Sequence, residues 1–479
     1  MRFFQLRYAF SFICSGILLL TVSCTKLVEV DPPKTGNNGE NVYTDNSTAA
    51  AVLTGMYINM ASSTLGGPLT ANAFSAYAGL SADELNLYGN ITLDFDAYYR
   101  NALVNTSTPS MWDNLYAVIY KVNGAIEGLS TAEALTPAIK QQLLGEARFM
   151  RAYNYLYLVS LYGDVALVAS TDYKVNTHIS RSPKADVYQF IIQDLLEAQS
   201  LLKDDYFGAD AITTVSERAR PNKWAATALL ARAYLYAGQY ANAETEASAV
   251  INNTALYGLE SLDKVFKKES RETIWNIQPV NPAGYSQDAS FFVIPASGPD
   301  EGRPVYLSPY LVESFEEEDQ RKLFWTGIYH DLNSTPSKDY YYAYKYQNNE
   351  LSSDLTEYQV ILRLAEQYLI RSEARIQTGN FAGAAKDLDA IRERAGLPAY
   401  AGSLTKDPLM GAMMHERQVE LFTEMGHRWI DLKRTGLADI IMPAVTTAKG
   451  GSWNANWQYY PIPLREIELN NNLKQNNGY

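Results

Sequence analysis

A short pattern that occurs twice constrains this chain more than any other feature. Leu230-Ala231-Arg232-Ala233-Tyr234-Leu235-Tyr236-Ala237-Gly238-Gln239-Tyr240-Ala241-Asn242-Ala243 runs from small residues through tyrosines to Gly-x-aromatic, with an alanine three residues on. Gly379-Asn380-Phe381 repeats the turn, and Ala384 stands where Ala243 does. Leu388 and Ile391 take the places of Ala247 and Val250. Such a unit reads as helix, tight glycine turn and second helix, with alanines that permit close approach. It cannot bury its apolar face alone, so neighbouring units must stack on it.

Two looser copies flank this pair. Residues 146–162 are strongly amphipathic and stop at Gly163-Asp164, and their partner helix, about 184–202, follows a long loop. A last copy runs from about Pro408 through Gly426 into Arg428 and on to Arg434. The fold class expected is all-α, a tetratricopeptide-like helical hairpin scaffold with large irregular loop insertions. Residues 64–112 and about 254–355 lack the repeat pattern, and the second is broken by Pro279, Pro282, Pro295, Pro299, Pro304 and Pro309. Loops this long in a compact protein are functional or disordered, and their aromatic content argues for order. The division expected is 1–23, then one domain over 24–479, within which 24–253, 254–355 and 356–479 are its parts.

The first segment has its own logic. Arg2 and Arg7 precede an uncharged apolar stretch of about 15 residues, short of the roughly 20 that span a bilayer, which is the layout of a secretory signal. It closes on Ser23-Cys24, and both cysteines, Cys14 and Cys24, fall this early, so the rest of the chain holds no disulfide framework. The ending resembles a bacterial lipoprotein cleavage site with Cys24 as the lipidated residue; ordinary signal cleavage nearby is the alternative. Lipid would then anchor an otherwise soluble domain at a membrane.

Charge and motifs exclude several classes of function. Forty basic residues stand against 53 acidic ones, a formal charge of -13 that argues against nucleic acid as a partner. His415-Glu416 opens like a zinc-protease motif, but position 419 is Val, so the second histidine is missing. The other histidines, 178, 330 and 427, share no ligand spacing, and no metal or cofactor is expected. No nucleophile elbow, phosphate loop or dinucleotide turn is present. Catalysis is not expected. The run Glu316-Glu317-Glu318-Asp319 reads as a solvated face. Arg148, Arg151 and Tyr155 share one helix face, as do Glu416, Glu420 and Glu424, and both sets read as ties between hairpins.

The aromatics point elsewhere. Tyr outnumbers Phe and Trp together, 35 against 16 and 7, and a ring with a polar tip suits a wet surface better than a dry core. Sugar rings need flat faces for their C–H sides and polar groups for their hydroxyls. Two loop clusters supply both. One holds Asp83, Asn86, Tyr88, Asn90, Tyr98, Tyr99 and Arg100. The other holds Tyr285, Phe291, Phe292, Tyr306, Trp325, Tyr329, Tyr340, Tyr341 and Tyr342, with Asp288 and Lys338 nearby. Any one ring is more simply read as pinning a loop; the clusters are the candidates for ligand contact.

Five spaced motifs then fall in order: LVEVDPP at 27–33; GEARFMRAY at 145–153 with LYGDV at 161–165; ILRLAEQYLIR at 361–371; HERQVEL at 415–421 running into GHRWIDLKR at 426–434; and YPIP at 460–463 with NLKQNNGY at 472–479. With the Cys24 box, they resemble the SusD/RagB family of outer-membrane nutrient-capture lipoproteins. The resemblance implies a lipid-anchored protein of the outer membrane that faces outside. It implies a SusC-like TonB-dependent transporter as partner and a glycan or oligosaccharide as ligand. The alternative it leaves is the lid of a peptide or other nutrient transporter with little binding of its own. It carries no individual binding residue across.

Overall fold

Gly238 and Gly379 are the turning points of the scaffold. Both adopt the left-handed backbone, φ +72° and +87°, which most side chains avoid. Gly238 lies between helices Lys223–Tyr236 and Tyr240–Asn252, and Gly379 between Leu364–Thr378 and Phe381–Arg394. Side-chain caps fix the starts: Asn222 accepts the Ala225 N–H at 2.9 Å and Asn380 accepts the Gly383 N–H at 3.1 Å. Ala243, Ala247 and Ala384 are fully buried, and the Tyr240–Asn252 helix packs directly on Leu364–Thr378, so the two clear repeats stack on each other.

The computed structural model describes residues 41–62, 71–89, 93–107, 111–280, 285–349 and 355–479. The segment read as a secretory signal, Cys24, residues 25–40 and Asn90 lie outside the described residues. Among the described residues the chain is mostly helical, and no helix is long and apolar enough to cross a membrane.

The looser repeats also form hairpins. Helix Pro137–Tyr162 packs on Lys184–Leu201, where Arg148 and Arg151 both bind Asp194 at 2.9 and 2.7 Å. Lys406–Glu420 is followed by His427–Arg434, and Arg417 joins them through Asp431 at 2.6 Å. These are the ties expected of the arginine-bearing faces. The glutamate face is denser still: Arg363 reaches Glu272, Glu420 and Glu424 at 2.8, 2.6 and 2.7 Å, all within the interior. Arg321 joins Asp319 to Glu420, and Arg394 also binds Glu420. Burial opposes ionisation of Glu420, but Arg394, Arg363 and Arg321 outweigh it and hold its carboxyl far below the usual range.

One expectation needs correction here. The acidic run at 316–319 is not simply a solvated face. Asp319 is buried on Arg321 and caps helix Gln320–Trp325, and Glu316, although exposed like Glu317 and Glu318, is tied to Arg392.

The insertions carry short strands rather than irregular chain alone. They are β1 (Leu85–Leu87), β2 (Val165–Ala166), β3 (Arg181–Ser182), β4 (Thr273–Ile277), β5 (Val305–Leu307), β6 (Thr326–Asp331), β7 (Lys338–Ala343) and β8 (Gln359–Arg363). They pair antiparallel as β1–β5, β2–β3, β4–β8 and β6–β7. Only β2–β3 and β6–β7 are close in sequence. The other two pairs fasten an insertion to a distant part of the chain.

Candidate functional site

The β1–β5 pair unites the two aromatic clusters read from sequence. Leu85, Leu87, Val305 and Leu307 are buried on one face, and alternation turns Asn86 and its register partner Tyr306 to the other. The pairing is extended at both ends: Tyr88 N–H donates to the Pro304 carbonyl at 2.7 Å, and Ser308 N–H to that of Glu84 at 2.8 Å. β5 packs in turn on β7, whose hairpin with β6 sets Tyr329 opposite Tyr340.

The result is a tyrosine patch centred on Tyr340. Its ring lies 5.5 Å from Tyr88, 5.0 Å from Tyr306 and 6.4 Å from Tyr329, the first two edge-on. Tyr340 is buried, and the other three are half-buried, so Tyr88, Tyr306 and Tyr329 are the rings with surface left to offer. Lys338, two residues back on the same strand face, holds Nζ 4.7 Å from the Tyr340 ring centre and 5.2 Å from that of Tyr306. Tyr99 borders the patch, its hydroxyl donating to Asn86 Oδ1 at 3.3 Å. Burial pushes the Tyr99 phenol up to about 12, so it stays a neutral donor. Rings to stack on and polar groups at their edges are therefore on one surface.

Behind the patch lies a layer of buried charge. Asp83 forms a two-pronged bond with Arg428 at 2.8 and 2.7 Å. Burial, helped by Asp83, pushes the neighbouring Glu84 carboxyl up to about 8. Burial also lowers Lys449 to about 7; its ammonium donates to the Leu80 and Ala82 carbonyls and sits 5.0 Å from the Tyr99 ring centre.

The predicted residues separate into those that meet at the patch, with the buried Tyr340 as its centre, and those that do not. Asn86, Tyr88, Tyr99, Tyr306, Tyr329 and Tyr340 come together. Asp83, Tyr98, Phe291, Phe292 and Trp325 are interior, which removes them from a ligand-facing surface. Trp325 shows the reason: its indole N–H donates to Leu262 at 2.9 Å, and Lys345, Arg363 and Arg394 pack on its ring. Tyr98 packs on Tyr77 and Tyr460 instead. Arg100 is half-exposed but bound to Asp96 at 2.7 Å. Tyr341 points to the opposite face of β7 and packs on the core, while Tyr342 covers Gly327, where a Cβ would collide with its ring. Tyr285 is half-buried, and no ring contact joins it to the patch among the described residues. Asp288 is buried, with its carboxyl pushed up to about 8 by burial. Lys449 went unread in the sequence, because nothing local marks a lysine that docks on carbonyls at 80 and 82.

One group among the described residues has metal-like spacing, Glu316, His415 and Glu416, within 4.8 Å. Its ligand atoms already have partners. Arg392 binds Glu316 and Glu416, Arg321 binds Glu416, and His415 Nε2 lies 2.7 Å from the Ser314 carbonyl oxygen. A cation would have to displace guanidinium groups, so the donor set does not fit one.

A stack of helical hairpins that carries an aromatic patch on its insertions defines a binding scaffold. The comparisons with known proteins give it a family. A model described as "Starch-binding associating with outer membrane" matches residues 38–235, and one described as "SusD family" matches residues 313–479. The chain belongs to the SusD/RagB family. SusD-like protein P2 of Formosa agariphila is 29% identical over 433 residues, covering 78% of this chain and 81% of that protein. The starch-binding protein SusD of Bacteroides thetaiotaomicron is 32% identical over 124 residues, 25% of this chain and 21% of its own length. Among solved structures, a SusD superfamily protein of Bacteroides vulgatus aligns with a TM-score of 0.76 at 21% identity, over 91% of this chain and all of that one. A laminarin-binding SusD-like protein aligns at 0.72 and 24%, over 90% of this chain and 99% of its own.

Proposed function

We propose that the protein captures an oligosaccharide at the outer membrane, held there by lipid on Cys24, and hands it to a SusC-like TonB-dependent transporter without chemical change. The observation that carries this reading is the convergence of Tyr88, Tyr306 and Tyr329 on Tyr340, with Asn86, Tyr99 and Lys338 along its edge. Support also comes from relatives of the same fold, one named for laminarin binding and one as surface glycan-binding protein A of Bacteroides uniformis. Capture of this kind needs only modest affinity, because a ligand held too tightly is not passed on.

Calorimetric titration of the lipidated protein in detergent with a panel of neutral and acidic oligosaccharides tests the reading. Binding heat that disappears in a Tyr306→Ala/Tyr329→Ala variant supports it. Undiminished binding in that variant would remove the patch from the mechanism. No binding until the transporter is added would favour a lid that relies on its partner for recognition. Cys24→Ala should move the protein from the membrane to the soluble fraction; retention in the membrane would sink the anchor.

A further inference from the structure

A second aromatic surface lies on helix Met111–Thr131, where Trp112, Tyr116 and Tyr120 recur every four residues and share one face. With the chain around 166–177 and the C-terminal residues 466–473, that face lines a groove of about 340 Å³. None of the groove residues belongs to the Tyr340 patch. Tyr116 forms a fixed floor: its hydroxyl donates to the Ala166 carbonyl at 2.8 Å, and its ring abuts Trp112 at 4.8 Å. Tyr120 and Tyr173 stand at the rim, 55% and 69% exposed.

Two of the polar groups in the groove are acceptors. The Glu466 carboxylate takes a hydrogen bond from the Trp112 side chain. Burial, with Asp113 nearby, raises its pKa. Asn176 donates through its amide nitrogen to the Ser170 carbonyl at 2.9 Å, while its buried Oδ1 has no partner. An acceptor in that position calls for a donor from a ligand, because a buried polar atom left unpaired is costly. Among the described residues no basic side chain lines the groove, and burial with Asp113 outweighs nearby Arg465 at Glu466, so a ligand carboxylate or sulfate would meet Glu466 with little countercharge. An apolar protein side chain would cover Glu466 and Asn176 without bonding them.

We propose that this groove is a second ligand site, for one or two rings of a neutral oligosaccharide. The sugar's C–H faces would lie on Tyr116 and Tyr120, and its hydroxyls would donate to Glu466 and Asn176. The volume falls in the range of small-molecule sites. The inference rests on the glycan chemistry of the function proposed above but on none of its residues, so the two can fail separately.

The test follows the indole N–H resonance of Trp112, assigned with a Trp112→Phe variant, in the lipidated protein in detergent. Laminarihexaose, maltohexaose, cellohexaose and mannohexaose are the probes. At least one should shift the resonance saturably, and Tyr120→Ala, at an exposed position where folding is not at stake, should weaken that titration about tenfold. The same titration should survive Tyr306→Ala/Tyr329→Ala unchanged. The inference is overturned if none of the probes moves the resonance up to about 10 mM, near the weak limit of specific binding. It is also overturned if the shift is lost in the patch variant and kept in Tyr120→Ala, which would leave the patch as the sugar site. A shift kept in the patch variant and lost in Tyr120→Ala upholds the groove even if the patch proves inert.

Discussion

The arginine lattice around Arg363 and the tyrosine patch around Tyr340 use polar side chains in opposite ways. In the lattice, each buried charge meets several partners at hydrogen-bond distance, and helices from three parts of the chain are locked by it. In the patch, the order comes from backbone pairing, β1 to β5 and β6 to β7, and the rings make few hydrogen bonds. The first arrangement cannot lose a member without stranding charge. The second can lose a ring and keep its frame. That difference marks which polar residues hold the fold and which are available to a ligand.

The largest effect should come from Arg363→Met. It leaves Glu272, Glu420 and Glu424 buried with less countercharge, and breaking a buried pair in this way costs about 3–5 kcal/mol. Urea denaturation should show that loss. Arg363→Lys should recover only part of it, because an ammonium cannot reproduce the guanidinium fork. A loss below about 1 kcal/mol would mean the lattice is looser than its distances indicate.

The next effect concerns the charge layer between the two regions. The Glu84 carboxyl, ordinarily near 4.5, is raised to about 8 in the fold. The folded state therefore binds a proton that the unfolded chain has released across that window. Its contribution to stability is full below about pH 4.5 and is lost as pH rises toward 8. Glu84→Gln, which resembles the protonated acid, should flatten this decline. The variant should gain on the native protein by a few kcal/mol between those limits, because each tenfold change in proton affinity is worth about 1.4 kcal/mol. Parallel pH–stability curves would show that Glu84 is not held protonated.

How much of this was legible in the sequence differs between the regions for a physical reason. Helical ties follow a local period, so the Arg148/Arg151 face and the Glu416/Glu420 face could be read before their partners were known. Asp194 and Arg363 as those partners could not. Glycine turns at 238 and 379 were visible because only a few residues tolerate that backbone. The patch was half legible: composition named its tyrosines, but Phe291, Phe292 and Trp325 carried the same signal while lying in the core. What sorts them is the β1–β5 register, a pairing between segments more than 200 residues apart, and three-residue strands leave no periodic trace. The groove on Met111–Thr131 had a trace, aromatics at every fourth position, which reads equally as a buried face until Tyr120 is seen to be exposed.

A third effect tests the patch as a surface. Tyr306→Ala with Tyr329→Ala should weaken oligosaccharide binding about tenfold or more, since each ring contact contributes roughly 0.5–1.5 kcal/mol. The fold should lose far less than in Arg363→Met, because the strand pairing does not depend on either ring. A loss of stability comparable to that of the arginine variant would recast the patch as core.

The smallest effect is the most discriminating. Lys338 lies over Tyr306 and Tyr340 and is bonded to the Tyr306 hydroxyl at 3.4 Å. Its register partner across the hairpin, Asp331, forms no ion pair with it among the described residues, and that carboxylate accepts the Asn333 and Ser334 N–H groups at 3.0 and 3.3 Å instead. An exposed cation over aromatic faces contributes only about 0.5–1 kcal/mol, so Lys338→Met should leave stability nearly unchanged in urea titrations. Its effect on binding depends on the ligand's charge. A neutral oligosaccharide should lose no more than about fivefold, the loss of one exposed polar contact. An acidic one, such as tetragalacturonate, should lose more, and the remaining binding should become less sensitive to salt. Equal losses for both would mean that Lys338 serves the rings rather than the ligand, and would place it with the arginine lattice as part of the frame.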